Sequence, residues 1–217
     1  GRGTIVSFKT ADGKDGRAYV VKSGKPTDRV VFMIHEWWGL NDYIKREAEN
    51  LQLELGEADV YALDLYDGKV AGTVLDAQKC MGEMKEDRSK AIINGALAYV
   101  GKKAKIASIG WCMGGAWSLQ SALLEGKQAV GCVMYYGMPE SDLKKLKALN
   151  CDVLGVFALQ DGFITPEIVR KFEADMKSLK KKITVHNYDS FHAFANPSNP
   201  SYNKPYASDA HQKALAY

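Results

Sequence analysis

The run Gly110-Trp111-Cys112-Met113-Gly114-Gly115 has the residue types and spacing of a nucleophile held at a sharp bend. An apolar stretch, Lys105–Ile109, precedes it, and a helical stretch, Met113–Leu124, follows and stops near Gly126. A nucleophile at the tip of a tight strand-to-helix turn sits on strained backbone, so its flanking positions must be small. Gly110 and Gly114 supply that room, and Gly115 adds more. The bend puts Cys112 at a helix N terminus, where unpaired N–H groups and the macrodipole favour an anion, and a thiolate is stabilised there. The N–H of Met113 points to the same spot and can hold an oxyanion. The competing interpretation is a glycine-rich turn with a small cysteine packed inside.

A thiol nucleophile needs a base, usually histidine. The chain has four: His35, His186, His192 and His211. His186 falls in the strand-like run Ile183–Tyr188 and His211 in a C-terminal helical stretch, so both read as structural or solvent-facing. His192 stands just beyond the last strand, in Asp189-Ser190-Phe191-His192-Ala193-Phe194. Loops at the C-terminal ends of parallel strands converge on the ligand crevice, which makes His192 the favoured base. Asp161 follows the run Val153–Leu159 directly, in Gln160-Asp161-Gly162. Asp189 competes, but three residues from His192 it could simply cap a turn. The order Cys112, Asp161, His192 is the nucleophile–acid–histidine order of α/β-hydrolases and favours Asp161.

These residues need elements to position them, and the hydrophobic pattern provides a strand–helix alternation. Val30–Ile34, Asp59–Leu63, Lys105–Ile109, Ala129–Tyr136, Val153–Leu159 and Ile183–Tyr188 read as strands. Ile44, Ala48, Leu51 and Leu55 form the stripe of a helix over Asp42–Leu55, stopped by Gly56. Lys85–Val100 and Lys204–Tyr217 are also helical. Between Thr165 as N-cap and Lys180, Val169, Phe172, Met176 and Leu179 mark another helix, with Pro166 at its first position. Apolar strands alternating with helices predict an α/β fold, a mostly parallel central sheet flanked by helices on both faces. Thr4–Val21 alternates like an antiparallel edge. Tyr66–Met84 and Phe191–Lys204 read as irregular loops, and no linker or repeat divides the chain, which is read as one domain over residues 1–217.

Bulk properties narrow the function classes. The chain has 217 residues, 46% hydrophobic and 25% charged, with a net charge of +3. That composition builds a core but no basic field for nucleic acid, and no apolar run is long enough to span a membrane. Cys80, Cys112, Cys132 and Cys151 include no C-x-x-C pair, so neither a metal knuckle nor a disulfide framework is indicated. Apart from Cys112 they read as reduced, buried thiols. The cytoplasm is the expected compartment, and a periplasmic or secreted location after loss of a signal segment is compatible with a chain opening on Gly1.

With the elbow, the histidine and the acid in place, the chain resembles the dienelactone hydrolases (carboxymethylenebutenolidases), of α/β-hydrolase fold. The carriers are Gly110–Gly115, matching a Gly-aromatic-Cys-x-Gly-Gly elbow; Glu36-Trp37-Trp38-Gly39-Leu40-Asn41, matching a Glu-x-aromatic-Gly-Leu/Val-Asn segment; and Asp64-Leu65-Tyr66. The resemblance spans nearly the whole chain. It implies that Glu36 contacts the resting thiol and helps deprotonate it when substrate arrives, and that the N–H groups of Trp37 and Met113 form the oxyanion hole. It implies hydrolysis of a small-molecule ester or lactone, with no metal or organic cofactor. The arginine that family members carry four residues after the histidine, gripping a substrate carboxylate, is Asn196 here. Lys69, Lys79 and Arg88 are no clear counterparts of a second such arginine and read as solvated charges. Trp37, Trp38, Trp111 and Phe194 instead suggest an aromatic-lined, less charged pocket. A non-catalytic ligand-binding protein on the same fold is the alternative that the missing arginine motivates.

Overall fold

A computed structural model describes residues 2–217. Its elements in chain order are β1 (Thr4–Lys9), β2 (Asp15–Val21), β3 (Arg29–Ile34), α1 (Asp42–Leu55), β4 (Asp59–Leu63), α2 (Val74–Glu83), α3 (Glu86–Val100), β5 (Lys105–Trp111), α4 (Met113–Glu125), β6 (Ala129–Tyr135), α5 (Leu143–Lys147), β7 (Val153–Ala158), α6 (Pro166–Ser178), β8 (Ile183–Tyr188) and α7 (Lys204–Ala216). The strands form one sheet in the order β1-β2-β4-β3-β5-β6-β7-β8. β2 is antiparallel to both β1 and β4, and the remaining pairs are parallel. The alternating N-terminal stretch is thus a hairpin at the sheet edge, as its pattern predicts.

Strand parity sorts the core into two layers. Val31, Met33, Ile109 and Val133 point to one face and pack with Ile44, Ala48 and Leu51 of α1 and Ala210 of α7. Val30, Phe32, Ile34 and Ile106 point to the other face, against Ile92, Ile93 and Ala96 of α3. Further along that second face, Leu119 and Ala122 of α4 and Val169, Phe172 and Met176 of α6 cover Met134 and Phe157. Each large side chain so buried contributes about 1.5–3 kcal/mol. Both faces are covered, which is why the strands read as continuous apolar runs.

The helix ends follow local chemistry. Asn41 caps α1 by accepting from the Ile44 N–H, and Gly56 ends it at φ 72°, a conformation glycine adopts at little cost. Thr165 caps α6 and Pro166 occupies its first turn. Two helices depart from the sequence expectation. α2 lies inside Tyr66–Met84, which reads as irregular; Thr73 caps it, but only Ala77 is buried, so no apolar stripe announces it. The five-residue α5 is capped by Asp142 and buries only Leu146. The stretch 191–203 holds turns but neither helix nor strand. No helix among the described residues is long and apolar enough to cross a membrane.

Candidate active site

The C-terminal ends of β3, β5, β6 and β7 and the loop after β8 deliver the site. Cys112 lies between β5 and α4 with φ 60° and ψ −122°, a left-handed backbone that a non-glycine residue holds only under strain. The surroundings leave it little choice. A Cβ on Gly110 would lie 1.9 Å from the Gly114 carbonyl oxygen, and one on Gly114 would lie 2.2 Å from that of Ile34. The Cys112 N–H donates to the Tyr135 carbonyl at 3.0 Å, tying the bend to β6. α4 begins at Met113, so that residue's N–H is among the helix's first-turn donors without an intrahelical acceptor.

The three residues picked out by chain order meet here. His192 Nε2 lies 3.1 Å from Cys112 Sγ, and His192 Nδ1 lies 2.6 Å from Asp161 Oδ2. The Asp161 side chain is fully buried, and its other oxygen accepts from the N–H groups of Phe163 and Ile164 at 2.8 and 2.9 Å. Those bonds fix the carboxylate, which in turn fixes the ring. Burial opposes a charge on His192, but the bonds to Asp161 and Cys112 outweigh it and raise the imidazolium to about 10. Asp189 sits instead on the surface, accepting from Gln160 Nε2 at 2.7 Å.

Glu36 is 4% exposed, just beyond β3. Burial pushes its carboxyl up to about 7, against the opposing pull of an Asn196 hydrogen bond and the charge of His192. Asn196 Nδ2 donates to Glu36 Oε1, and its own Oδ1 accepts from the Ser198 N–H at 2.8 Å. His35, fully buried, braces the same loop: Nδ1 meets the Glu36 carbonyl at 2.7 Å, and Nε2 accepts from the Leu65 N–H at 3.1 Å. With Nε2 accepting, Nδ1 is the donor.

A cavity of about 640 Å³ opens over these residues, lined by Glu36, Cys112, Met113, His192 and a largely apolar wall. Trp37 and Trp38 belong to that wall. Trp111 and Phe194 do not: Trp111 stacks on Tyr135, and Phe194 packs against Tyr136, Tyr188 and Tyr206 in the core. Trp111 shares the face of β5 that carries Ala107 and Ile109, so strand parity turns it inward. Asn196 likewise lines no part of the cavity and is spent on Glu36. The wall is built instead by Met81, Trp117, Met138, Phe163 and Phe191, with Tyr136 beside them. Met113, Ala116 and Trp117 follow the helical i, i+3, i+4 spacing after the elbow, a signal the sequence carried.

Tyr136 is a further residue that sequence reasoning missed. It is wholly buried, sits at φ 34°, and lies 4.9 Å from the His192 ring between centroids. Its hydroxyl has no hydrogen-bond partner among the described residues. The three basic side chains read as solvated are paired: Lys69 and Lys79 with Glu83, and Arg88, its side chain 14% exposed, with Asp12 and Asp67. All four cysteines are free thiols; Cys132 is buried, whereas Cys80 and Cys151 are only partly so. Among the described residues no group of three or more His, Cys, Asp or Glu is placed to hold a metal ion.

A covered, mostly parallel sheet with a strained residue at the strand-to-helix bend is the α/β-hydrolase architecture. The model of the dienelactone hydrolase family matches residues 17–217, and the chain belongs to that family. That membership puts it among the hydrolases of esters and lactones. A Saccharolobus solfataricus protein named "Putative carboxymethylenebutenolidase" is 28% identical, over 97% of this chain and 96% of its own length. Protein usf of Aquifex pyrophilus is 27% identical, over 99% and 97%. Among solved structures, a dienelactone hydrolase-like promiscuous phosphotriesterase, P91, from metagenomic libraries superposes with a TM-score of 0.80 at 20% identity, over 100% of this chain and 97% of its own.

Proposed function

We propose that the chain is a cysteine hydrolase of carboxylic esters or lactones, with Cys112 as nucleophile, His192 as acid and base, and Asp161 as the group that orients His192. The observation that carries this reading is the pair of contacts on opposite ring nitrogens, 3.1 Å to Cys112 Sγ and 2.6 Å to Asp161 Oδ2. The thiolate attacks the substrate carbonyl carbon, and the tetrahedral oxyanion is held by the N–H groups of Met113 and Trp37. His192 gives its proton to the leaving alkoxide as the C–O bond breaks. It then takes a proton from water, whose oxygen attacks the thioester carbon; the C–S bond breaks, the carboxylic acid leaves, and the proton on His192 returns to the sulfur to restore the thiol. Glu36 assists deprotonation of the thiol, and Asn196 positions it. Among the described residues the cavity has no lysine or arginine in its wall, which favours uncharged acyl groups over carboxylate-bearing lactones.

Cys112→Ala is expected to abolish turnover of small activated esters, and iodoacetamide to label Cys112 ahead of the other three thiols. Turnover near wild-type in Cys112→Ala would refute the nucleophile. An inert Cys112 would favour a ligand-binding protein.

A further inference from the structure

The opposite end of the sheet carries a second cavity, of about 410 Å³, within the range of about 300–1,000 Å³ typical of ligand sites. Its floor is formed by three parallel strands: Val31 of β3, Ala107 and Ile109 of β5, and Gly131 and Val133 of β6. Its walls are Leu51 and Leu55 of α1 and Ala214, Leu215 and Tyr217 at the end of α7. Two side chains strap those helices together at the rim, where His211 Nε2 meets the Glu54 carboxylate at 2.8 Å. The floor is low at Gly131, where a Cβ would still stand 3.6 Å from the Tyr217 ring.

Among the side chains that line the cavity the charge is one-sided, the Glu54 carboxylate at the rim being bound to His211. Arg29 and Lys105 are paired in register on neighbouring strands, so their side chains leave the sheet on the same face, the face that forms the floor. Both line the cavity, and no aspartate or glutamate among the described residues does. Neither cation forms an ion pair among the described residues, so both are free to meet an anion. A largely apolar slot topped by two unpaired cations matches a molecule with one anionic head and one aliphatic chain.

We propose that this groove binds a single-chain anionic amphiphile, of which a medium-chain aliphatic carboxylate is the simplest, with its head on Arg29 and Lys105 and its chain between α1 and α7. The site is independent of Cys112 and lies at the far end of the strands from it.

The test uses decanoate and decyltrimethylammonium on full-length protein whose Cys112 has been carboxamidomethylated, with binding read by calorimetry and the position by nuclear Overhauser contacts to the Ala107 and Ala214 methyl groups. Decanoate is expected to bind and to contact both methyls, and the cationic amphiphile to bind at least about tenfold more weakly. The double variant Arg29→Glu with Lys105→Glu, exposed changes that leave the core intact, should reverse that preference, and Ala214→Trp, which fills the slot, should remove decanoate binding. Equal binding of both amphiphiles, decanoate contacts confined to the Cys112 cavity, or methyls covered instead by a second copy in a concentration-dependent dimer would each overturn the proposal.

Discussion

At the scale of single residues the proposed mechanism has its pH profile set by two groups displaced upward from their usual ranges. Glu36 reaches about 7 because it is buried, and His192 about 10 because its bonds to Asp161 and Cys112 outweigh burial. If Glu36 acts as carboxylate and His192 as imidazolium, kcat/KM rises through about pH 7 and falls through about pH 10. Removing Asn196 takes away a bond that favours the Glu36 carboxylate, so Asn196→Ala should move the acid limb to higher pH and leave the alkaline limb in place. A structural role alone would lower activity evenly across the profile. Asp161→Asn keeps the shape but loses the acceptor that holds the ring; a drop of about 10²–10⁴ in kcat is expected. Tyr136 presents the converse case. Its buried hydroxyl has no partner among the described residues, and such a group costs about 1–3 kcal/mol. Tyr136→Phe should therefore raise Tm, and an unchanged Tm would show the hydroxyl to be satisfied.

At the scale of elements the elbow is the least forgiving piece. Gly114→Ala would drive a Cβ into the carbonyls of Ile34 and His35, so α4 must move off β3. A loss above about 4 kcal/mol is expected, read as failure to fold or as loss of selective alkylation at Cys112. Gly82, in α2, has nothing within 4 Å of its built Cβ; Gly82→Ala should instead gain up to about 1 kcal/mol from helix propensity, measured by urea unfolding. The same contrast explains what the sequence made legible. The elbow, the strands and α1 carry their signals locally, as small residues at fixed offsets, continuous apolar runs, and a stripe with a cap at each end. Loop position then singled out His192, because loops at the strand ends converge at one end of a parallel sheet, and chain order favoured Asp161. α2 buries one residue and so leaves no periodic trace. Phe194, read as a pocket residue, and Tyr136, not read at all, failed for a different reason: which way a loop or strand-end side chain turns depends on the aromatic cluster it joins, and that cluster is assembled from distant segments.

At the scale of the whole molecule the buried acid Glu125 ties stability to pH without taking part in the site. It closes α4 at 4% exposure, and its Oε2 accepts from Ser108 at 2.9 Å and Ser121 at 2.6 Å. Oε1 has no partner among the described residues. Burial outweighs both serine bonds and raises the group from 4.5 to about 7. Below pH 4.5 the acid is neutral in both folded and unfolded chains, and its contribution is complete. Between 4.5 and 7 the unfolded chain ionises while the folded one holds its proton, so stability falls; above 7 the loss is complete, at about 3 kcal/mol. Glu36 acts in the same window, and His192, raised from 6.5 to about 10, removes stability over the window above it. The protein should thus be more stable at pH 5 than at pH 8. Glu125→Gln keeps the shape and cannot ionise. Urea unfolding of both proteins at pH 5 and 8 should show the variant losing less stability between the two values and standing above wild-type at pH 8. An equal loss in both would mean that Glu125 is already charged in the folded chain.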